Sequence, residues 1–149
     1  MYAVMTRPDV ATSVSMCARF LQAPRQAHWD AAIRILRYLV STPEVQLTYR
    51  RGSPLTLTCY VDASWAGDKD TRRSRYGYAI YLGSSLLEWK SKLHACITLS
   101  TAESEYVAAT EACKAVVWLR NTLQELNIAQ TVPTTMFEDN QVFTWPQIA

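Results

Sequence analysis

The stretch Leu55-Thr56-Leu57-Thr58-Cys59-Tyr60-Val61-Asp62 decides the fold. Leu55, Leu57, Cys59 and Val61 alternate with Thr56, Thr58, Tyr60 and Asp62, the period of two that marks a strand with one buried face. The polar face of this strand ends in a carboxylate, Asp62. Beyond it, Gly67 to Arg75 is a run of small, charged and hydroxyl residues that reads as a connecting loop. Tyr78–Leu82 and Leu86–Trp89 are short, apolar and aromatic, with Gly83-Ser84-Ser85 between them, which predicts a hairpin and a three-stranded meander.

From Ser100 to Leu126 the period becomes helical. Ser100-Thr101-Ala102-Glu103 fits the S-x-x-E capping box, with Ser100 as N-cap and Glu103 reaching back to its backbone N–H. Tyr106, Ala109, Cys113, Val116, Leu119, Leu123 and Leu126 line one face. Pro133 closes the connection, and Thr134–Phe137 reads as a fourth strand reaching Glu138 and Asp139. A strand that returns after a long helix lies parallel to an earlier one through a right-handed crossover.

Upstream of Arg50-Arg51-Gly52 the pattern is helical throughout. Thr6, then Arg7-Pro8-Asp9, reads as a helix start with a hydroxyl cap, a first-turn proline and an acid suited to the macrodipole. Val10, Val14, Cys17 and Leu21 form one stripe. After Pro24 a second stripe follows in Trp29, Ile33, Leu36 and Val40, ended by Thr42-Pro43. This helical hairpin carries no chemistry of its own; a face of Trp, Ile and Leu is core or docking surface. The reading is therefore α/β: a helical segment over 1–51, then β-β-β-α-β with a mixed sheet over 52–149.

Composition sets the outer limits. The 149 residues suit one domain of ordinary size with a short attached piece, and 49% hydrophobic against 19% charged residues is enough to bury a core. A formal charge of +2 excludes a polybasic protein, so any nucleic-acid contact must use local patches. No run reaches the ~18 apolar residues of a membrane span, and no secretory signal is visible at the N-terminus. Cys17, Cys59, Cys96 and Cys113 are far apart without a CxxC pair, which predicts reduced, buried thiols in an intracellular protein, cytoplasmic or nuclear.

Three acids are candidates for chemistry. Asp62 ends the first strand and Asp139 the last, and parallel neighbours would set both carboxylates in the crevice where open α/β sheets place ligands. Carboxylates held close repel unless a cation joins them, and hard oxygen donors suit Mg²⁺ or Mn²⁺. The alternative is that each aspartate simply occupies a favoured turn position. At the helix start Glu103 already has a capping job, which leaves Glu105 as the third candidate ligand or as a solvated helix-face acid.

The residues also carry a family resemblance. Thr6-Arg7-Pro8-Asp9, His28-Trp29, Leu36-Arg37-Tyr38-Leu39, Tyr60-Val61-Asp62-Ala63-Ser64-Trp65-Ala66-Gly67-Asp68, Arg72-Arg73-Ser74, Trp89-Lys90-Ser91-Lys92, Leu99 to Tyr106, Val117-Trp118-Leu119-Arg120 and Asp139-Asn140-Gln141 occur in order. Together they resemble the C-terminal part of a copia-type retrotransposon polyprotein: the end of its reverse transcriptase followed by its RNase H domain. The resemblance implies an RNase H-like fold and metal-dependent cleavage of the RNA strand of an RNA–DNA hybrid. It matches Asp62, Glu105 and Asp139 to the first-strand, first-helix and fourth-strand acids, holding two Mg²⁺ or Mn²⁺ ions about 3.5–4 Å apart.

The departures from that pattern are equally specific. The tail Val142 to Ala149 does not resemble the family's continuation, so a fourth acid, a fifth strand and a closing helix are expected to be missing. The paired-aspartate polymerase motif is absent, which excludes polymerisation by this chain. A fragment of a larger polyprotein, or a decayed copy with weakened cleavage, is the expectation. Arg72, Arg73, Arg75, Lys90 and Lys92 are the candidate phosphate contacts, which would position a hybrid without reading its sequence. Trp65 is a candidate for packing against a sugar or over the core. The competing class is a non-catalytic nucleic-acid-binding or relic domain, docking on a fuller reverse transcriptase through its helical hairpin.

Overall fold

The computed structural model describes residues 2–68 and 70–138. The chain forms two compact units, one over residues 1–48 and one over residues 49–149.

In the first unit, 3₁₀ turns at Tyr2–Met5 and Pro8–Val10 lead into α1 (Ala11–Ala18), and α2 (Gln26–Ser41) follows. The helix expected from Thr6 thus begins later, at Ala11, because Pro8 and Asp9 are used in a tighter turn. Asp9 pairs with Arg7 at 2.8 Å, and Arg7 also donates to the Thr42 carbonyl (3.0 Å) and hydroxyl (2.8 Å). That guanidinium ties the start of the unit to the end of α2. The core is small: Val10, Val14 and Ile35, with Val4, Cys17 and Leu39 packed against them.

The expected second stripe is corrected here. Trp29, Leu36 and Val40 are 63, 51 and 80% exposed, whereas Ile35 and Leu39 face the core. The helix carries two apolar faces, roughly 110° apart at 3.6 residues per turn, and each satisfies helical periodicity. A partner of eight residues covers only one of them. Leu21 lies beyond the end of α1 and is exposed for the same reason.

Among the described residues the second unit contains a four-stranded mixed sheet in the order β3-β2-β1-β4. The strands are β1 (Leu57–Ser64), β2 (Arg75–Leu82), β3 (Ser85–Leu93) and β4 (Thr135–Phe137). β1 and β2, and β2 and β3, are antiparallel, while β4 returns parallel to β1 after α3 (Thr101–Glu125), as the sequence predicts. Along β1 the inward residues are Leu57, Cys59, Val61 and Ala63. With Tyr76, Tyr78 and Ile80 of β2 they pack on Ala108, Ala112, Val116, Leu119 and Leu123 of α3.

The buried stripe of α3 differs from the expected one at its ends. Tyr106 and Leu126 are 55 and 63% exposed, and Ala108 and Ala112 are fully buried in their place. Alanine lets the helix approach the sheet closely, and a stripe chosen by side-chain size overlooks it. The helix ends in a Schellman motif: Asn127 is left-handed (φ 61°), its N–H donates to Gln124, and the N–H of Ile128 donates to Leu123. Among the four cysteines Cys59 is buried and Cys96 is exposed, and all are free thiols, so the expectation of uniformly buried thiols holds only in part. No helix among the described residues is long and apolar enough to cross a membrane.

Candidate functional site

Asp62 lies in the last three residues of β1, on the face turned away from α3, and is exposed. Its partner across β2 is Gly77. A glycine there leaves the carboxylate uncrowded by a neighbouring side chain. An added Cβ there would sit 3.3 Å from the Lys90 carbonyl oxygen, a tight contact with the β3 backbone.

Glu105 occupies the second turn of α3 and is only 3% exposed. Its neighbour in the capping box behaves differently. Ser100 accepts from the Glu103 N–H at 3.1 Å, as expected of the N-cap, and the Glu103 carboxylate accepts from the N–H of Leu99 at 2.6 Å. The acceptor role reaches one residue further back than the expected bond to Ser100. Glu103 is the capping acid, and Glu105 is the one carried inward by the helix.

The parallel register of β4 on β1 runs Thr58↔Thr135, Cys59↔Met136, Tyr60↔Phe137. β4 therefore advances along β1 toward Asp62, and Glu138 follows immediately. Asp139 lies outside the described residues. Among the described residues no three His, Cys, Asp or Glu side chains are grouped so as to hold a metal ion.

Two tethers shape the edge of this region. The Trp65 indole N–H donates to the Thr98 carbonyl at 3.1 Å, so Trp65, 45% exposed, joins the turn after β1 to the approach to α3. The Ser74 hydroxyl accepts from the Ala66 N–H at 3.0 Å and meets the Thr98 hydroxyl.

The candidate phosphate contacts fall into separate groups. Arg72 and Arg73 are exposed on a tight loop organised by Asp68, which is 3% exposed. Its Oδ1 accepts the Asp70 N–H at 3.0 Å, its Oδ2 accepts the Thr71 hydroxyl, and its carbonyl accepts the Arg72 N–H at 2.8 Å. Arg72 is left-handed (φ 57°). Arg75 begins β2 opposite Ser64, at the same end of the sheet as Asp62. Lys90 and Lys92 instead share the α3 side of the sheet, in register with Tyr78 and Tyr76.

Sequence reasoning missed an ionic cluster on that side. Glu111 of α3 pairs with Lys114 at 2.6 Å and with Lys90 at 4.0 Å, and the hydrogen bond from Lys114, with the charges of Lys114, Lys90 and Lys92, lowers the pKa of its carboxyl. Lys90 Nζ also sits 5.9 Å from the Tyr78 ring centre. The Tyr78 hydroxyl donates to Glu88 at 2.8 Å, and burial, aided by that bond, raises its pKa. Lys90 is thus committed in part to Glu111, while Lys92 is exposed. The i,i+3 spacing of Glu111 and Lys114 was the available signal. His94 was also unassigned: it is 1% exposed, packs edge-on against Tyr76 at 5.0 Å, and its backbone N–H donates to Ser74 at 2.8 Å.

Comparison with known proteins places these elements in context. Over 131 residues, 87% of this chain, it is 46% identical to the retrovirus-related Pol polyprotein of transposon TNT 1-94 from Nicotiana tabacum. Over 139 residues, 93% of the chain, it is 37% identical to the corresponding polyprotein of transposon RE1 from Arabidopsis thaliana. In both cases the chain spans about 10% of the relative's length. It is also 42% identical over 116 residues to the secreted RxLR effector protein 161 of Plasmopara viticola, covering 78% of this chain and 82% of that protein. No protein-family model matches the chain, and no solved structure matches it.

Proposed function

We propose that the chain, 46 and 37% identical over most of its length to two retrotransposon Pol polyproteins of which it spans about 10%, is their RNase H portion preceded by the end of the reverse transcriptase. In this reading residues 52–149 hydrolyse the RNA strand of an RNA–DNA hybrid, with Asp62, Glu105 and Asp139 as the acid set. The observation that carries the proposal is the parallel return of β4 beside β1 after α3. That order makes the strand bearing Asp62 the neighbour of both the helix bearing Glu105 and the strand leading to Asp139, with the Asp62 side chain on the sheet face turned away from α3. The ordered sequence motifs and the mixed α/β fold are consistent with it.

The donor set is wholly carboxylate oxygen, which fits Mg²⁺ or Mn²⁺ and disfavours softer metals. Bound divalent ions would supply an activated water and stabilise the leaving oxygen. The chain's own residues set the conditions. Asp62, uncrowded beside Gly77, is accessible to solvent and substrate. Glu105 is held by the buried face of a helix whose start is fixed by Ser100 and Glu103. Arg72 and Arg73 offer exposed guanidinium groups for backbone phosphates, which would position the duplex through shape and charge.

Cleavage of a labelled RNA–DNA hybrid with Mg²⁺ or Mn²⁺ tests the reading. Cleavage that is lost in Asp62→Asn and in chelator supports it; chelator-resistant cleavage, or cleavage unaffected by Asp62→Asn, refutes it. A second reading, a hybrid-binding or relic segment without catalysis, draws on the exposed Arg72 and Arg73, which need no metal to meet backbone phosphates. It predicts hybrid binding that chelator leaves unchanged.

A further inference from the structure

The exposed side of α2 has a regular pattern. Trp29, Ile33, Leu36 and Val40 follow at steps of four, three and four, the spacing of a coiled-coil seam. Trp29, Leu36 and Val40 are 63, 51 and 80% exposed, and Ile33 is half-buried. These residues are separate from the stripe that meets the core of the unit, Ile35 and Leu39. Among the described residues the core of the unit has three buried side chains, Val10, Val14 and Ile35, too few to make an uncovered second apolar face incidental.

Charge at the edge of the seam selects the occupant. Taking Trp29 and Leu36 as d positions and Ile33 and Val40 as a positions, the e positions are Asp30 and Arg37, both exposed, and the g positions are Ala32 and Leu39. Two copies of α2 packed antiparallel set Trp29 against Val40 and Ile33 against Leu36. They also bring e beside e, so that Asp30 of each copy meets Arg37 of the other, twice. A parallel pair would face these charges with Ala32 and Leu39, which offer none. Residues that are self-complementary under a two-fold rotation fit an isologous interface. We propose that this face is a self-association surface, on which α2 of a second copy of the same chain packs antiparallel.

The test is sedimentation equilibrium of the full chain across a concentration series. The expected result is a mass rising from 16.9 kDa toward twice that value. Asp30→Arg and Arg37→Asp, each alone, should raise the concentration for half-dimerisation by about tenfold or more, equivalent to ~1.4 kcal/mol. The doubly reversed chain should regain the wild-type value, and its recovery shows that the single variants were folded. Circular dichroism of the single variants checks that directly. A chain that stays at 16.9 kDa overturns the proposal. So does a dimer indifferent to the single reversals, or one that the double reversal fails to restore.

Discussion

The hydroxyl oxygens of Ser74 and Thr98 lie 2.6 Å apart, both buried, and join the residue before β2 to the segment that leads into α3. Ser74 also holds the Ala66 N–H, and the Thr98 carbonyl holds the Trp65 indole. Two connections, β1–β2 at both of its ends and β3–α3, are fastened at one point, next to the end of the strand that carries Asp62. Ser74→Ala strips a partner from both Thr98 and Ala66, and a buried polar group left without a partner costs about 1–3 kcal/mol. Urea denaturation should show a loss in that range. Unchanged stability would mean that the hydroxyl pair is incidental.

Glu103 and Glu105 are two residues apart on α3, the first exposed and accepting from the Leu99 N–H, the second buried and, in the proposed reading, one of the catalytic acids. Glu103→Ala removes the acceptor for the Leu99 N–H and should lower stability by about 1 kcal/mol, in keeping with loss of a helix cap. Hybrid cleavage per folded molecule should persist. Glu105→Gln preserves the shape of a buried side chain, should change stability less, and should abolish cleavage. Denaturation curves and cleavage rates on the same two proteins decide the assignment, and a reversed pattern would exchange the roles.

What was legible in the sequence follows from how strongly each local signal is enforced. The alternation of Leu57, Cys59 and Val61 with Thr58, Tyr60 and Asp62 specified β1, because a slip of one residue would expose the entire inward set; Leu55, expected on the same face, instead lies before the strand and is 55% exposed. Gly83 and the S-x-x-E box similarly marked the hairpin and the start of α3. The packed face of α2 was not legible: Trp29–Val40 and Ile35–Leu39 are both good helical stripes, and the choice depends on the length of α1. The burial of His94 was hidden for a related reason. It depends on contact with Tyr76, eighteen positions away.

At the β2–β3 turn, Gly83 has φ 59°, and a Cβ built there would stand 2.2 Å from the Pro54 carbonyl oxygen. Backbone, not a flexible side chain, is the obstacle. Gly83→Ala therefore combines left-handed strain with a steric clash, and a loss of about 2 kcal/mol or more is expected by urea denaturation. A variant as stable as the parent would show that the turn can shift without cost.

Cysteine labelling reads out the packing of the sheet independently of any activity. Cys59 is completely buried in the core beneath α3, and burial pushes its thiol up to about 12. Cys96 is exposed. The thiolate is the reacting species, so a maleimide at neutral pH should modify Cys96 first and leave Cys59 untouched until the protein unfolds. Peptide mapping of the native, labelled chain checks the order. Early modification of Cys59 would contradict the packing of β1 on α3.

Acid should weaken the second unit through His94. Among the described residues neither of its ring nitrogens has a hydrogen-bond partner, and burial holds the imidazole below its ordinary 6.5, with Glu111 pulling the other way. Above that ordinary value the ring is neutral in folded and unfolded chains alike, and its burial costs nothing in protonation. As pH falls through it, the unfolded chain takes up the proton first, so stability declines by up to ~1.4 kcal/mol per pH unit until the folded-state value is reached. Between about pH 7 and about pH 5 most carboxylates stay ionised, which isolates the histidine contribution. His94→Gln removes the titrating ring, so urea midpoints compared across that interval should fall more steeply for the parent than for the variant. Equal slopes would show that the buried imidazole is protonated in the folded chain as readily as in the unfolded one.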